Sequence, residues 1–343
     1  MSRPEAAYPE ALVSIAARVE ERILVLLDAE LARWRAVDPL LEAPLVALRD
    51  FIAAGGKRLR PAFCYSAYVG AGGDPESSTI VDAAAALEVV HTFALVHDDV
   101  MDGSELRRGR DAIHRQFMRA HQDEHGRGEA RRFGEGMAIL VGDLAFVYAD
   151  QLMEGANAAA WRIWNELRIE LNVGQLLDIV GSVRNDRRRE KAERICRYKS
   201  GKYTIERPLH LGAVLAAPPR EPELLPALSE YGLPLGDAFQ MRDDVMGAFG
   251  DPAITGKPVG GDLREGKPTP LMAMATESAT PAQAEVLALV GRADLGDDDV
   301  AAVQQAIETK AAEAVAALDD IDLTEAARTE LAALAEFVVL RAT

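Results

Sequence analysis

The sequence predicts an all-α protein, and two observations support that fold class. Alanine, leucine and glutamate, which are strong helix formers, dominate the composition. Apolar residues recur at helical spacing over most of the chain, whereas alternating runs of β-branched residues are scarce. The pattern therefore favours packed helices over a sheet.

The order of the helices follows from this periodicity and from the residues that interrupt it. Helices are predicted at 10–33, 38–54, 61–70, 77–102, 110–121, 134–154, 158–180, 189–202, 204–216, 222–248, 268–277, 280–291, 297–318 and 323–341. The strongest breaks are Gly55-Gly56, the Gly-rich run 70–75, Pro218-Pro219 and the Gly/Pro-rich stretch 250–270. The polar run from His121 to Gly136 is predicted to be a surface loop.

Composition excludes several classes of function. The formal net charge of −17 argues against a nucleic-acid partner or an anionic membrane surface. The N-terminal segment is predicted to be an amphipathic helix rather than a signal peptide. No run of eighteen apolar residues is present, so we expect no membrane span. Two cysteines provide no disulfide framework. These features predict a cytoplasmic protein.

Two aspartate-rich segments lie far apart in the chain, His97 to Asp102 and Gln240 to Met246. Each lies in an apolar, helix-compatible stretch, where unpaired carboxylates are costly to bury. Asp98 and Asp102 are four residues apart and project from one face of a helix. Facing carboxylates bind hard divalent cations that also bridge phosphate oxygens. The segments therefore predict Mg²⁺ and a diphosphate substrate. Because they need each other, residues 1–343 are predicted to form one domain.

Basic residues accompany the first segment. His91 lies within about 40° of Asp98 and Asp102 on a helical wheel, so we expect it to face the same polar cavity. Arg107 and Arg108 follow one turn later, and arginine binds phosphate through two parallel hydrogen bonds. In a chain of charge −17, cations at this position predict contacts to diphosphate oxygens.

A second basic cluster is Gly55-Gly56-Lys57-Arg58-Leu59-Arg60-Pro61. Paired glycines allow a close approach of the backbone to a ligand, and Pro61 suits the first turn of a helix whose N–H groups attract anions. This cluster predicts a second diphosphate site.

Weaker candidates lie further along the chain. Lys199 and Ser200 lie in a helical pattern, and Gln175 and Asp178 add polar atoms to one face of an apolar helix. The Gly-rich stretch 256–267 carries the spaced residues Lys257, Asp262 and Lys267, and such a loop resembles a lid over a site.

Taken together, these motifs resemble those of the all-trans isoprenyl diphosphate synthases, or polyprenyl synthetases. The resemblance covers about residues 55–267 and is strongest at Gly56 to Pro61, at Leu95 to Asp102 with Leu106 to Gly109, and at Phe239 to Asp244. It implies an antiparallel α-helical bundle around a deep central cavity, in a homodimer. It also implies Mg²⁺-dependent condensation of isopentenyl diphosphate with an allylic diphosphate (dimethylallyl, geranyl or farnesyl).

The resemblance also implies roles for individual residues. Magnesium would be held by Asp98, Asp102 and Asp243, with Asp99 and Asp244 in support. The allylic diphosphate would be contacted by Arg107, Lys199, Gln240 and Lys257, with Ser200 and Gln175 nearby. Isopentenyl diphosphate would be bound by Lys57, Arg60, His91 and Arg108. Asp262 and Lys267 would help to close the site.

One motif departs from the family pattern, and one bears on product length. The second segment ends in Gly247 where the family has a third aspartate, so one outer carboxylate is missing.

Phe93 and Ala94 precede Asp98 by five and four residues. An aromatic followed by a small residue resembles the archaeal-type enzymes, common also in actinobacteria, that make the C20 product geranylgeranyl diphosphate.

Other functions stay open at this point. Within the family, a farnesyl (C15) or longer-chain synthase is the main alternative. A class I terpene cyclase would share the fold and the first aspartate segment, but it would not need Lys57, Arg60 and Arg108. An inactive partner subunit would typically have lost its metal-binding aspartates, which this chain largely keeps.

Overall fold

The computed structural model describes residues 9–184, 188–249, 269–278, 309 and 312–340. The contacts divide the chain into two compact units. The N-terminal unit comprises Leu12–Ala62 and Glu76–Ala156, and the C-terminal unit comprises Met1–Ala11, Phe63–Pro75 and Asn157–Thr343. The single domain predicted over 1–343 stays a prediction.

The described elements confirm the all-α prediction. The helices are α1 (Glu10–Arg35), α2 (Glu42–Ala53), α3 (Leu59–Gly70), α4 (Ser78–Met101), α5 (Ile113–Asp123), α6 (Ala130–Leu152), α7 (Ala158–Arg184), α8 (Arg189–Cys196), α9 (Arg207–Ala216), α10 (Glu221–Phe249), α11 (Pro270–Ser278) and α12 (Glu325–Leu340). The structure also has three 3₁₀ turns, Pro39–Leu41, Pro218–Arg220 and Leu318–Asp320, and a π-helix, Arg197–Glu206. Residues 309 and 312–317 are helical as well. The predicted helix 280–291 and most of 297–318 lie outside the described residues.

The core of the N-terminal unit is built around α4. Its side chains are buried without a break from Ala83 to Val90, and α4 packs mainly against α6. The Ser77 hydroxyl accepts a hydrogen bond from the Thr79 N–H at 3.2 Å and begins the helix. Gly103, with φ of +64°, follows its C-terminal residue Asp102. This stop fixes where the first aspartate segment leaves the helix.

By length and apolar composition α4 could cross a membrane, alone among the helices of the described residues. However, 61% of its most apolar window is buried inside the protein, as in the core helix of a globular protein. The helix is therefore weak support for a membrane span, and the absence of a span stays a prediction.

A short hairpin after α4 was not predicted from the sequence. Strands β1 (Leu106–Arg107) and β2 (Arg110–Asp111) pair in antiparallel fashion, with Arg107 opposite Arg110. The two turn residues, Arg108 and Gly109, both have positive φ (+52° and +72°), as a two-residue hairpin turn of this hand requires. The helix predicted from residue 110 therefore begins only at Ile113.

The surface loop predicted from His121 to Gly136 is confirmed only over the exposed residues 124–129, and its two ends are helical. Helix α5 continues to Asp123 and α6 begins at Ala130. A Cβ atom on Gly134 would lie 2.2 Å from the His114 carbonyl oxygen, so this glycine permits the close packing of α6 on α5. The polar residues that suggested a longer loop are divided between this loop and the exposed faces of the two helix ends.

The π-helix lies at the centre of the C-terminal unit, packed against α7 and α10. A Cβ on Gly174 of α7 would lie 2.3 Å from the Lys199 backbone nitrogen, and one on Gly236 of α10 would lie 2.7 Å from the Cα of Gly201. Glycines therefore allow both neighbouring helices to approach the π-helix backbone. The sequence predicted two α-helices, 189–202 and 204–216, in place of this continuous segment.

Candidate active site

The first aspartate segment forms the last turn of α4 in the N-terminal unit. Asp98 and Asp102 are both half-buried. They lie one turn apart, with the Asp102 N–H donating to the Asp98 carbonyl at 2.8 Å. The helix thus presents two carboxylates together at its end, as predicted. Oxygen ligands with partial access to water suit a hydrated Mg²⁺ ion.

Asp99, the aspartate between them, has a different environment. It is completely buried and accepts hydrogen bonds from the Arg107 guanidinium, with Nε 2.9 Å from Oδ1 and 3.2 Å from Oδ2. Burial opposes the charged form of Arg107, but the hydrogen bonds and charge of Asp99 outweigh it and raise the pKa of Arg107. Asp99 therefore fixes the position of the Arg107 guanidinium and stabilises its positive charge. Any support that Asp99 gives to a metal site is indirect.

The basic residues around residue 57 and the hairpin form a second cluster in the same unit. Arg58 and Arg60 are buried, and Lys57, His91 and Arg108 are half-buried. Desolvation, and then the charges of Arg60 and Arg108, hold the pKa of His91 well below its usual range. His91 is therefore neutral near pH 7, and it can offer one N–H donor to a ligand.

Sequence analysis overlooked the partner of Arg58. Its guanidinium forms a buried ion pair with Glu88 of α4 and donates to the Ile52 carbonyl at 2.9 Å. Glu88 lies one turn before His91 on an otherwise apolar stretch of α4. A buried carboxylate in such a stretch implies a cationic partner, and that was the signal available in the sequence.

A cleft of about 420 Å³ opens beside the hairpin within the N-terminal unit. Arg107, Arg108 and Arg110 line one part of it, and Phe51 and Ala54 of the α2 region line another. Arg108 also lies over the Phe51 ring, 5.5 Å from its centroid. Asp50 and Asp111 also line the cleft, so three arginines and two carboxylates face it together.

The second aspartate segment lies on α10 in the C-terminal unit. Asp243 is half-buried, whereas Asp244 is buried and accepts a hydrogen bond from the Gln240 amide at 2.9 Å. Helix α10 continues through Gly247 to Phe249. Asp243 is therefore the more accessible carboxylate of this segment, as the metal assignment requires.

Lys199 lies on the π-helix, in the same unit. Its ammonium is 2.6 Å from the buried carboxylate of Asp178 on α7. Gln175, one turn earlier on α7, and Ser200 are half-buried. The predicted polar residues of α7 therefore include the counter-ion that holds Lys199.

A larger buried network, which sequence analysis missed, begins one turn after Lys199. Lys202 lies between Glu170 (2.9 Å) and Glu206 (3.0 Å), and Glu170 also accepts two hydrogen bonds from Arg207, at 2.6 and 2.8 Å. His210 completes the network beside Arg207. Ion pairs with Asp178 and Glu170 therefore tie the π-helix to α7, and Arg207 links α9 to the same Glu170 carboxylate.

The predicted chain-length residues lie on α4. The Phe93 ring is 4.7 Å from the Phe146 ring of α6 and 4.7 Å from the His97 ring. Ala94 is half-buried beside it. Phe146, which was not predicted as a site residue, is therefore part of the same aromatic group. Lys257, Asp262 and Lys267 lie outside the described residues.

Within the described part of the chain, no three His, Cys, Asp or Glu side chains are grouped closely enough to hold a metal ion. The paired oxygen donors of Asp98 and Asp102 fit Mg²⁺, which keeps several waters and takes only one or two protein carboxylates together with substrate phosphates.

A profile of the polyprenyl synthetase family matches residues 42–309, which include both aspartate segments and the basic clusters. The chain belongs to the polyprenyl synthetase family. The short chain isoprenyl diphosphate synthase of Methanothermobacter thermautotrophicus is 33% identical over 321 residues, 88% of this chain and 91% of that protein. The (2E,6E)-farnesyl diphosphate synthase of Mycobacterium tuberculosis is 33% identical over 261 residues, 74% of this chain and 67% of that protein.

Solved structures also resemble this chain. The geranylgeranyl pyrophosphate synthase of Corynebacterium glutamicum, crystallised with isoprenyl diphosphate and magnesium, has a TM-score of 0.88 and 35% identity. It covers 96% of this chain, and this chain covers 99% of it. The predicted fold, an isoprenoid synthase fold, and the predicted prenyltransferase class are both confirmed. Similar proteins make products of different length, so product length is left open.

Proposed function

We propose that this polyprenyl synthetase condenses isopentenyl diphosphate with an allylic diphosphate, and that its main product is geranylgeranyl diphosphate. The observation that carries the proposal is the composition of the N-terminal unit. It holds one site with two half-buried aspartates and a second with buried arginines, Lys57 and a neutral histidine. Two diphosphates need two such sites, whereas a terpene cyclase needs one.

For the metal we propose Mg²⁺, held by Asp98 and Asp102 and, from the second segment, by Asp243. Bound there, it would neutralise charge that develops on the departing diphosphate. The chain's own contribution is to orient the substrate. Arg107, held charged by Asp99, donates its remaining N–H groups to allylic diphosphate oxygens. Lys199, supported by Asp178, adds a further positive charge.

The second substrate is assigned to the basic cluster. Lys57, Arg60 and Arg108 bind the diphosphate of isopentenyl diphosphate, and the neutral His91 donates one hydrogen bond. The allylic carbon–oxygen bond breaks, the isopentenyl double bond attacks the resulting cation, and a proton is then lost. Apolar walls protect the cation from water. Lys257 and Lys267 are proposed to complete the allylic site and its closure.

A homodimer is also proposed. Helix α7 exposes an apolar stripe at 4-3-4-3 spacing, the repeat by which helices pack against each other: Ile169, Val173, Leu176, Val180 and Val183. The side chains of Ile169, Leu176 and Val183 are 58%, 63% and 84% exposed. We expect a dimer by size-exclusion chromatography with light scattering, and a monomer for Leu176→Glu. A monomeric wild-type chain would exclude this assembly.

A cytoplasmic location completes the proposal. Cys64 and Cys196 are both free and buried, and burial raises the pKa of both thiols. Buried, protonated thiols suit a reducing compartment without requiring one. Fractionation of cells that express the chain tests the location, and recovery outside the cytoplasm would contradict it.

The test of the reaction is incubation of purified protein with isopentenyl diphosphate, Mg²⁺ and one primer at a time: dimethylallyl, geranyl or farnesyl diphosphate. We expect a C20 main product by chromatography of the dephosphorylated prenols. A C15 product would favour the farnesyl alternative, to which the Mycobacterium tuberculosis relative points. Turnover of an allylic diphosphate that does not require isopentenyl diphosphate would indicate a cyclase.

A further inference from the structure

The buried ion pair between Arg58 and Glu88 lies beside residues that we assign to isopentenyl diphosphate. Both side chains are only 3% exposed. Arg58 contacts three elements, since its guanidinium pairs with Glu88 of α4, donates to the Ile52 carbonyl at the end of α2 and lies 3.8 Å from the Glu20 carboxylate of α1. The segment between α2 and α3 is thus fastened to α4 at this point.

This segment has an unusual backbone. Gly55 has φ of +89°, and Arg58 itself has φ of +50°, a left-handed conformation that non-glycine residues seldom adopt. Lys57 lies between them. The position of Lys57 therefore depends on a loop that enters α3 through a backbone conformation unfavourable to arginine. The contacts of the Arg58 side chain with Glu88, Ile52 and Glu20 stabilise that conformation.

The pair also meets Arg108. A Cβ atom on Gly56 would lie 3.1 Å from Arg108 Nη2, 3.3 Å from Arg58 Nη1 and 3.6 Å from Glu88 Oε1. The three groups therefore converge on the bare Cα of Gly56. Burial lowers the pKa of Arg108, the Glu88 carboxylate opposes that shift, and the neighbouring arginines add to it.

We propose that Glu88 and Arg58 are positioning residues for the isopentenyl diphosphate site. Glu88 holds Arg58, which sets the Gly55–Lys57 loop, and its carboxylate offsets the positive charge where Arg58 and Arg108 converge. Neither residue needs to touch the substrate. The inference rests on the proposed function, because it takes Lys57 and Arg108 to bind that diphosphate.

The test replaces the pair with side chains that keep the interior filled, since apolar replacement of a whole buried ion pair is often tolerated. In Arg58→Met/Glu88→Met we expect the KM for isopentenyl diphosphate to rise at least tenfold. The kcat at saturation should stay within threefold of wild type, and the KM for the allylic substrate should be unchanged. The Tm should stay within a few degrees. A purely structural pair would lower Tm and leave the KM unchanged.

The matched control is Arg22→Met/Asp82→Met, which removes a 2.5 Å ion pair between α1 and the same helix α4. We expect normal KM values for both substrates. If the double variant of the buried pair does not fold, Arg58→Lys replaces it, because it keeps the charge but shortens the reach to Ile52. There we expect an intermediate rise in the same KM.

Two results would overturn different claims. A normal KM for isopentenyl diphosphate in a folded pair variant, with active wild type, overturns the positioning role alone. A wild-type protein that forms no product from isopentenyl diphosphate with any primer overturns the proposed function, and the positioning role with it.

Discussion

His210 of α9 provides a quantitative test of the buried network behind the π-helix. It is 3% exposed, and its ring nitrogens have opposite roles. Nε2 lies 3.0 Å from the Leu225 carbonyl, to which it donates, so Nδ1 is free to accept from Arg207 at 3.2 Å. A second proton on Nδ1 would face the guanidinium. The structure therefore requires a neutral imidazole.

The size of the effect follows from the pKa. Burial, assisted by the charge of Arg207 and opposed by that of Glu206, lowers the pKa of His210 from 6.5 to about 4. Between these values the unfolded chain binds a proton that the folded chain does not. Neutral His210 therefore does not reduce the free energy of unfolding above pH 6.5. Below pH 6.5 the free energy of unfolding decreases, because protons bind the unfolded chain more tightly. A difference of roughly 2.5 pH units at about 1.4 kcal/mol each gives about 3 kcal/mol by pH 4.

The assay is urea unfolding followed by circular dichroism at pH 7.5, 6, 5 and 4.5. We expect His210→Gln to be less stable than wild type at pH 7.5, because it loses the Arg207 contact, but to lose less stability on acidification. Subtracting the two profiles cancels the carboxylates that titrate in both proteins. The control is His125→Asn at an exposed position, whose profile should match wild type. Parallel profiles for wild type and His210→Gln would refute the argument.

Three further predictions concern the site. Asp98→Ala and Asp243→Ala should each lower kcat by several orders of magnitude with an unchanged circular dichroism spectrum, because metal assistance contributes several kcal/mol; near-normal turnover would exclude the residue as a metal ligand. Lys57→Ala should weaken binding of isopentenyl diphosphate by about 1.5–3 kcal/mol, measured as its KM, because one charge-assisted contact is lost. If only the KM for the allylic substrate rose, Lys57 would belong to the allylic site instead. Phe93→Ala should move the main product from C20 towards C25, because the longer chain buries more methylenes at about 0.8 kcal/mol each. Chromatography measures the product length, and unchanged C20 output would assign the limit to another residue such as Phe146.

Several features of the candidate site could be predicted from sequence because they depend on local spacing. Two aspartates four residues apart must share a face of any helix, and the helix predicted at 77–102 corresponds closely to α4. The acidic composition made the clusters at Lys57 and Arg107 conspicuous. Helical periodicity therefore gave the fold class and most of the element order.

Local pattern misled where polar residues had two interpretations. The two ends of the run from His121 to Gly136 are polar because these helical residues expose much of their surface, and periodicity alone cannot separate that case from a loop. The hairpin at 106–111 is too short to show alternation. Its turn, Arg108-Gly109, also departs from the sequence pairs that usually announce such a turn.

The sequence by itself determined the helical class, the two aspartate segments and the cations that accompany them, since these follow from composition and from spacing along one chain. Only the tertiary structure decided which charges neutralise one another. Arg107 pairs with Asp99, Arg58 with Glu88, and Lys199 with Asp178. The physical reason is that burial makes an unpaired charge costly, so each buried ion takes the counter-ion that packing brings within reach. Packing joins residues up to thirty positions apart in these pairs, and no periodicity encodes that choice.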